Sequence, residues 1–288
     1  MRVAVFNPAF ERSIVLPDDL LDRFHALTGW AEALHAHGAG VTVVQAFGSS
    51  TRRSRHGVDY VFCRARSQAR WLDAAMCDAV IASSPDVVHV NGLDAALQAW
   101  ALRRAVPEET AIVMQDHATQ PGRPGFIRRW LRRRIMAASD GFLFSTRDQA
   151  QPWLDAGLIE RAEQVHAVLA GSSNVEPLPY DDARRLTGTQ GRPAVLWVGR
   201  LTANKDPLCV LGGFEQAKAM LPDATLTMVF DTGPLRAAVA DRVAASAVLS
   251  RCVRLVGPVP HEQIGRWFSA ARSLRARKPS RGVRLRGD

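Results

Sequence analysis

The chain has 288 residues, 47% of them hydrophobic and 23% charged. That balance excludes disordered and collagen-like chains and leaves enough apolar material for one large core or two medium ones. Lys and Arg total 37 against 28 acidic residues, a net charge of +9, which taken alone points to a polyanionic partner such as nucleic acid, anionic lipid or a phosphorylated ligand.

Residues 2–6 (RVAVF) are an apolar run ending at Asn7-Pro8, the pattern of a first core strand rather than of a signal peptide. Apolar positions over 20–37 recur at helical spacing up to Gly38, a stop signal. Residues 41–47 and 60–63 read as strands, and 70–83 as a helix broken by Pro85-Asp86. Then follow a strand at 86–90, a helix at 93–105 and a strand at 111–117. An Arg-rich helix over 125–136 and a strand at 141–146 complete the run. Several strands are apolar throughout instead of alternating, which predicts a parallel sheet covered on both faces.

The stretch 170–193 is rich in Gly, Ser, Pro and Asp and reads as a connection carrying a short helix. A second cycle opens at 194–200 with a buried-type strand, followed by a helix over 206–221 with Asp206 as N-cap and Pro207 at its first position. Strands at 224–230 and 252–259 and helices at 233–246 and 261–271 follow. Four scattered cysteines without CxxC spacing, Cys63, Cys77, Cys209 and Cys252, exclude a disulfide scaffold. No apolar run reaches 18 residues, so no transmembrane helix is expected. The cytoplasm, where free thiols are the norm, is the default compartment.

The charge is concentrated. Residues 271–288 carry seven bases and one acid, +6 in eighteen residues, which leaves +3 for the other 270. A second cluster, GFIRRWLRRRIM at 125–136, places five Arg among Phe126, Ile127, Trp130, Leu131 and Ile135. Such a helix either turns its apolar stripe to a core with its Arg face in water, or lies on an anionic membrane surface. The first arrangement is the commoner one.

The most informative stretch is 195–217, VLWVGRLTANKDPLCVLGGFEQA. A buried strand ends at Gly199-Arg200, and Lys205 stands just before a helix N-terminus. Arg supplies a planar fork of donors, Lys a point charge, and the helix end free N–H groups, which together suit a diphosphate. On spacing alone, an ordinary turn with two solvated bases stays open.

This stretch, the helix after it, the strand ATLTMVF, Gly233-Pro234 and VRLVG to Gly257 resemble the C-terminal domain of glycosyltransferase family 4. In the first half, PDVVHVNGL (85–93), MQDHATQPG (114–122) and FLFSTRDQ (142–149) resemble the same family's successive sheet strands. The resemblance implies an α/β, GT-B-like fold. Its expected parts are a doubly wound Rossmann-like acceptor-side domain (1–175), a linker (176–193), a partial nucleotide-sugar-binding domain (194–271) and an aberrant, disordered basic tail (272–288). It implies a retaining transfer of sugar from a nucleotide-sugar donor to an unknown acceptor, without metal or other cofactor. Arg200 and Lys205 then correspond to the diphosphate-binding pair, with Gly199 and Gly233 beside them. His117 matches a cleft His near the transferred sugar, and Asn91-Gly92 line the same cleft. An exposed loop His beside Asp116 is an equally good reading of His117.

There are departures. Phe230 and Asp231 displace the glycine expected before the Gly-Pro step, and nothing after Ala271 supplies the family's donor-binding carboxylates. One legal codon choice for 272–288, read one base later, encodes a strand and a loop with Gly-Ser, Glu and Gly. A frameshift near residue 271, a truncated second domain and weak or absent activity are therefore expected. The alternatives are a GT-B-fold nucleotide-sugar epimerase and a non-catalytic basic protein binding nucleic acid or a membrane surface. A weak peripheral membrane contact through 125–136 is compatible with the transferase reading; a specific nucleic-acid partner is not expected.

Overall fold

The computed structural model describes residues 1–65, 72–117, 119–122, 125–169, 175–231 and 233–273. The chain forms two compact units, Met1–Asn174 and Val175–Asp288.

The first unit is an eight-stranded sheet with helices on both faces. Its strands are β1 (Arg2–Asn7), β2 (Gly40–Phe47), β3 (Thr51–Arg55), β4 (Val58–Arg64), β5 (Val87–Asn91), β6 (Ala111–Gln115), β7 (Gly141–Phe144) and β8 (Val165–Ala167). Their spatial order is β3-β4-β2-β1-β5-β6-β7-β8. Every neighbouring pair is parallel except β3 with β4. The helices are α1 (Pro17–Arg23), α2 (His25–Ala36), α3 (Ala74–Ala82), α4 (Ala96–Ala105), α5 (Phe126–Met136) and α6 (Arg147–Asp155). Two hydrophobic clusters sandwich the sheet. Val3 and Val5 of β1 belong to one, and Ala4 and Phe6 to the other. A strand buried on both faces cannot alternate apolar with polar residues, which is why these strands read as continuous apolar runs.

The second unit repeats the plan on a smaller scale. Its strands β9 (Ala194–Gly199), β10 (Thr225–Phe230), β11 (Val253–Gly257) and β12 (Arg272–Ser273) stand in the order β11-β10-β9-β12, all parallel. Its helices are α7 (Tyr180–Thr187), α8 (Pro207–Ala217), α9 (Arg236–Ala244), α10 (Leu249–Cys252) and α11 (Ile264–Ala270). Helices α7 and α11 pack together, and the Ser269 hydroxyl accepts the Leu178 amide at 2.9 Å. Gly265 permits that approach, since a Cβ there would lie 2.9 Å from the Glu176 carbonyl oxygen.

The α/β class and the doubly wound sheets agree with the sequence reading; two local expectations are corrected, and two features appear where none was expected. The single helix expected over 20–37 is two, because Phe24 leaves the helical region (φ −98°, ψ 60°). The polar segment Thr51–Arg55 is an edge strand, turned back at His56-Gly57, both with positive φ. Helix α6 and strand β8 lie in text that carried no prediction. The second unit has four strands instead of three, because Arg272–Ser273 pair with Val195 and Leu196. The expected disordered tail therefore begins with a strand, and its remainder, 274–288, lies outside the described residues.

Helix α5 also departs from the commoner expectation of a stripe facing the core. Only Ile135 and Met136 are buried, whereas Phe126 is 86% and Ile127 78% exposed, with Trp130 and Leu131 also in solvent.

Leu226 is fully buried in the core of the second unit. Leu226→Ala is expected to destabilise that unit by about 2–5 kcal/mol through lost burial and the cavity left behind, measurable as a lower midpoint in urea unfolding followed by circular dichroism.

Candidate functional site

The first unit concentrates its polar chemistry at the carboxyl ends of its central strands. Asn7 ends β1, Asn91 ends β5, Gln115 ends β6, and Gln45 lies near the end of β2. Strand register sets Asn7 beside Gln45 and Asn91 beside Gln115. The chain reverses direction across the sheet between β1 and β5, the place where open parallel sheets leave a crevice.

The amides there form one directional chain of hydrogen bonds. Gln45 Nε2 donates to the carbonyls of Ala9 (2.7 Å) and Ala46 (2.8 Å). Asn7 Nδ2 donates to Gln45 Oε1 at 2.6 Å, and Asn91 Nδ2 to Asn7 Oδ1 at 3.2 Å. That leaves Asn91 Oδ1 to accept from His117 Nε2. Each amide has its oxygen and nitrogen assigned by the next, so the chain calls for a proton on His117 Nε2; in the neutral ring that leaves Nδ1 as an acceptor.

His117 itself is exposed in the loop after β6. The loop is held by buried Asp116, whose Oδ1 accepts from the Thr119 amide at 2.9 Å and hydroxyl at 2.6 Å. Gly92 turns the chain directly after Asn91. Its φ of +114° and the close approach of the Asp94 carboxylate leave no room for a side chain.

A cavity of about 390 Å³ opens beside this polar row. Its apolar wall includes Leu20 of α1, Leu27 and Trp30 of α2 and Phe24 between them, and its polar lining includes Asn7, His89, Asn91, Gln115 and His117. His89 is 2% exposed and stacks on Trp30 with ring centroids 4.1 Å apart. Burial pushes its pKa down to about 4, assisted by the nearby charge of His117 and opposed by Gln115. His89 is therefore neutral at physiological pH. Apart from the interaction with the Gln115 side chain that opposes this shift, neither ring nitrogen has a partner at full hydrogen-bond geometry, nor has Gln115 Nε2.

The second unit carries the strand–turn–helix junction singled out by sequence. Strand β9 ends at Gly199; Arg200 is exposed, Leu201 is fully buried, and Lys205 is exposed one residue before the N-cap of α8. Asp206 adopts a left-handed conformation (φ 41°), and its carboxylate accepts the Cys209 amide at 3.2 Å. Gly233 lies against the turn: a Cβ there would sit 2.9 Å from the Leu201 nitrogen, and the Leu235 amide donates to the Leu201 carbonyl at 3.0 Å. Leu201 and Gly233 thus anchor the turn from below while both bases face outward. Among the described residues, neither the Arg200 nor the Lys205 side chain has a hydrogen-bond or ion-pair partner. The junction sits at the carboxyl edge of a parallel sheet, beside the switch between β9 and β12. No group of three or more metal-ligating side chains occurs among the described residues.

No protein-family model matches the chain, and no curated protein matches it in sequence. Solved structures do match in fold. The structure of sucrose-phosphate synthase from Thermosynechococcus elongatus superposes with a TM-score of 0.59 at 18% identity, covering 94% of this chain and 73% of that one. The Anabaena protein HepE in complex with UDP gives 0.61 at 14% identity, covering 94% and 72%. The catalytic domain of starch synthase IV from Arabidopsis thaliana, bound to ADP and acarbose, gives 0.60 at 11% identity, covering 93% and 76%. The fold is that of the GT-B glycosyltransferases.

Of the residues read from sequence, Asn91, Gly92 and His117 come together in the first unit, and Gly199, Arg200, Lys205 and Gly233 in the second. The sequence reading missed Asn7, Gln45, His89, Gln115 and Trp30. Their signal was present: a lone His inside the apolar run DVVHV, and an amide at or near the end of each central strand.

Because His89 protonates more readily in the unfolded chain, stability is expected to fall as pH drops from about 6.5 to about 4. The full effect is about 3 kcal/mol. Urea unfolding at a series of pH values checks this: His89→Phe, which keeps a ring against Trp30, should flatten that slope.

Proposed function

We propose that the chain is a retaining glycosyltransferase of the family 4 type, using a nucleotide-sugar donor and an acceptor held in the first unit. The observation that carries this reading is the pair of unpartnered cations, Arg200 and Lys205, on the carboxyl edge of the second sheet within a GT-B fold. A diphosphate gathers negative charge as it leaves the sugar. Fixed cations that are not neutralised by the protein lower the energy of that charge most where it is greatest, in the transition state. Gly233 and Leu201 keep the turn in place, so little reorganisation is needed when the donor arrives. Two structures of similar fold support the ligand class: HepE in complex with UDP and starch synthase IV bound to ADP.

In the first unit, His117 is the catalytic candidate. Its tautomer, fixed through Asn91, presents a lone pair at Nδ1 able to accept a proton or orient a hydroxyl.

Helix α5 supports a weak peripheral contact with an anionic membrane. Its exposed Phe126, Ile127, Trp130 and Leu131 share a helix with five Arg. Of these, Arg133 pairs with Glu160 at 2.9 Å and Arg134 lies over the Trp130 ring. Exposed apolar residues among cations fit lipid headgroups better than they fit water. The described residues contain no helix long and apolar enough to cross a membrane.

Two measurements test these readings. Titration calorimetry with UDP, GDP and ADP should find one tight nucleotide, and Arg200→Ala or Lys205→Ala should each weaken it about 10–100-fold; unchanged affinity in both variants removes the diphosphate site. In vesicle flotation, the chain should rise with phosphatidylglycerol but not phosphatidylcholine. Phe126→Ser with Ile127→Ser should abolish this, whereas retention on duplex DNA in place of vesicles would assign the Arg cluster to nucleic acid.

A further inference from the structure

The cavity of the first unit has a chemistry of its own. We propose that it takes an uncharged molecule with a broad apolar body and a buried hydroxyl, that hydroxyl being held by His89 and Gln115. On the glycosyltransferase reading above, on which this step rests, that molecule is the acceptor.

Three observations set the class. First, the floor is polar and unpaid for by the protein. His89 is 2% and Gln115 3% exposed, and apart from the interaction between these two side chains, both His89 nitrogens and Gln115 Nε2 lack a partner at full hydrogen-bond geometry. Buried polar groups in folded chains are nearly always paired, so an unpaired set lining a cavity marks a place where a ligand supplies the partner. A neutral imidazole offers one donor and one acceptor, and Gln115 Nε2 offers a donor. A hydroxyl, which donates and accepts, answers both; an ether or a carbonyl answers only the donors.

Second, the wall is apolar. Leu20 of α1, Leu27 and Trp30 of α2 and Phe24 between the two helices contribute to it, with Val5 and Phe10 beside them. The pocket volume, about 390 Å³, lies in the range of small-molecule sites.

Third, the lining contains no Lys or Arg among the described residues, and its one carboxylate, Glu11, is exposed and already accepts from the Ser13 amide and hydroxyl at 3.2 and 2.7 Å. A phosphorylated or carboxylate-bearing acceptor would lose its hydration in this cavity and meet no Lys or Arg among the described lining residues. A fully hydroxylated sugar would leave most of its polar groups against Leu20, Phe24 and Leu27.

A matched series tests the assignment on the full chain. The probes are 2-naphthol, 2-methylnaphthalene, 2-naphthoate and glucose, titrated at pH 7.5 by calorimetry. 2-Naphthol is expected to bind at least ~10-fold more tightly than 2-methylnaphthalene, because only it pairs the buried groups. 2-Naphthoate and glucose are expected to bind weaker still. His89→Phe should bring 2-naphthol and 2-methylnaphthalene to equal affinity while improving or preserving the latter. Gln115→Leu gives a second variant with the same expected direction, and near-UV circular dichroism confirms that both variants fold. Tightest binding of 2-naphthoate or glucose, or a 2-naphthol preference that survives both substitutions, overturns the proposal. The donor reading fails separately. Loss of nucleotide binding in the wild-type chain removes the transferase role and leaves the cavity preference standing, whereas a failed probe series with intact, Arg200-dependent nucleotide binding removes the acceptor class alone.

Discussion

A parallel sheet covered on both faces has only its strand ends to offer a ligand, and that constraint organises the first unit. Each central strand is apolar through its length because both of its faces are buried. Polar side chains are admitted only near the carboxyl ends, and there they must satisfy one another. Asn7, Gln45 and Asn91 do so through a chain of bonds that ends on His117. His89 and Gln115 stand next to this chain but outside it. The same row of strand ends therefore contains a satisfied part, which holds a loop histidine in one tautomer, and an unsatisfied part, which faces a cavity. The difference is local packing: Trp30 stacks on His89 and supplies no hydrogen-bond acceptor to it.

The second unit meets the same constraint with opposite chemistry. Its strand ends carry exposed cations instead of buried amides. Arg200 and Lys205 stay in water, while the turn that bears them is fastened by apolar and backbone contacts through Leu201 and Gly233. Solvated cations cost little to fold and remain able to bind a strongly charged ligand. A neutral, enclosed site and a cationic, open one are thus built on two copies of one architecture.

Much of this was legible in the sequence, for a physical reason. Buried parallel strands leave long apolar runs, and Pro, Gly and Asp punctuate them, so the order of strands and the Gly199–Lys205 junction could be placed from residues alone. What escaped was set by contacts between distant segments. Edge strand β3 is as polar as a loop, since an edge exposed to water needs no apolar face. The break at Phe24 carries no Gly or Pro and follows from where its ring is placed, on the cavity wall. Strand β12 is two residues long, and no periodicity can be read from two residues. The amide chain joins residues up to 84 positions apart; each amide alone looks like a strand-end polar residue, and only the register of three strands turns them into one network.

The charge distribution gains a different meaning from these placements. By sequence, most of the excess falls in residues 271–288 and in α5, and no α5 residue lines the cavity. A large positive field at the cavity would favour charged ligands over neutral ones, and would hold a phosphate as readily as an alcohol. Instead the cavity lining is free of bases among the described residues. Selectivity there rests on what is missing from the lining as much as on what is present. An apolar wall cannot reject a hydroxyl strongly, but an unpaired imidazole and amide reject a molecule without one, since their desolvation is then left uncompensated.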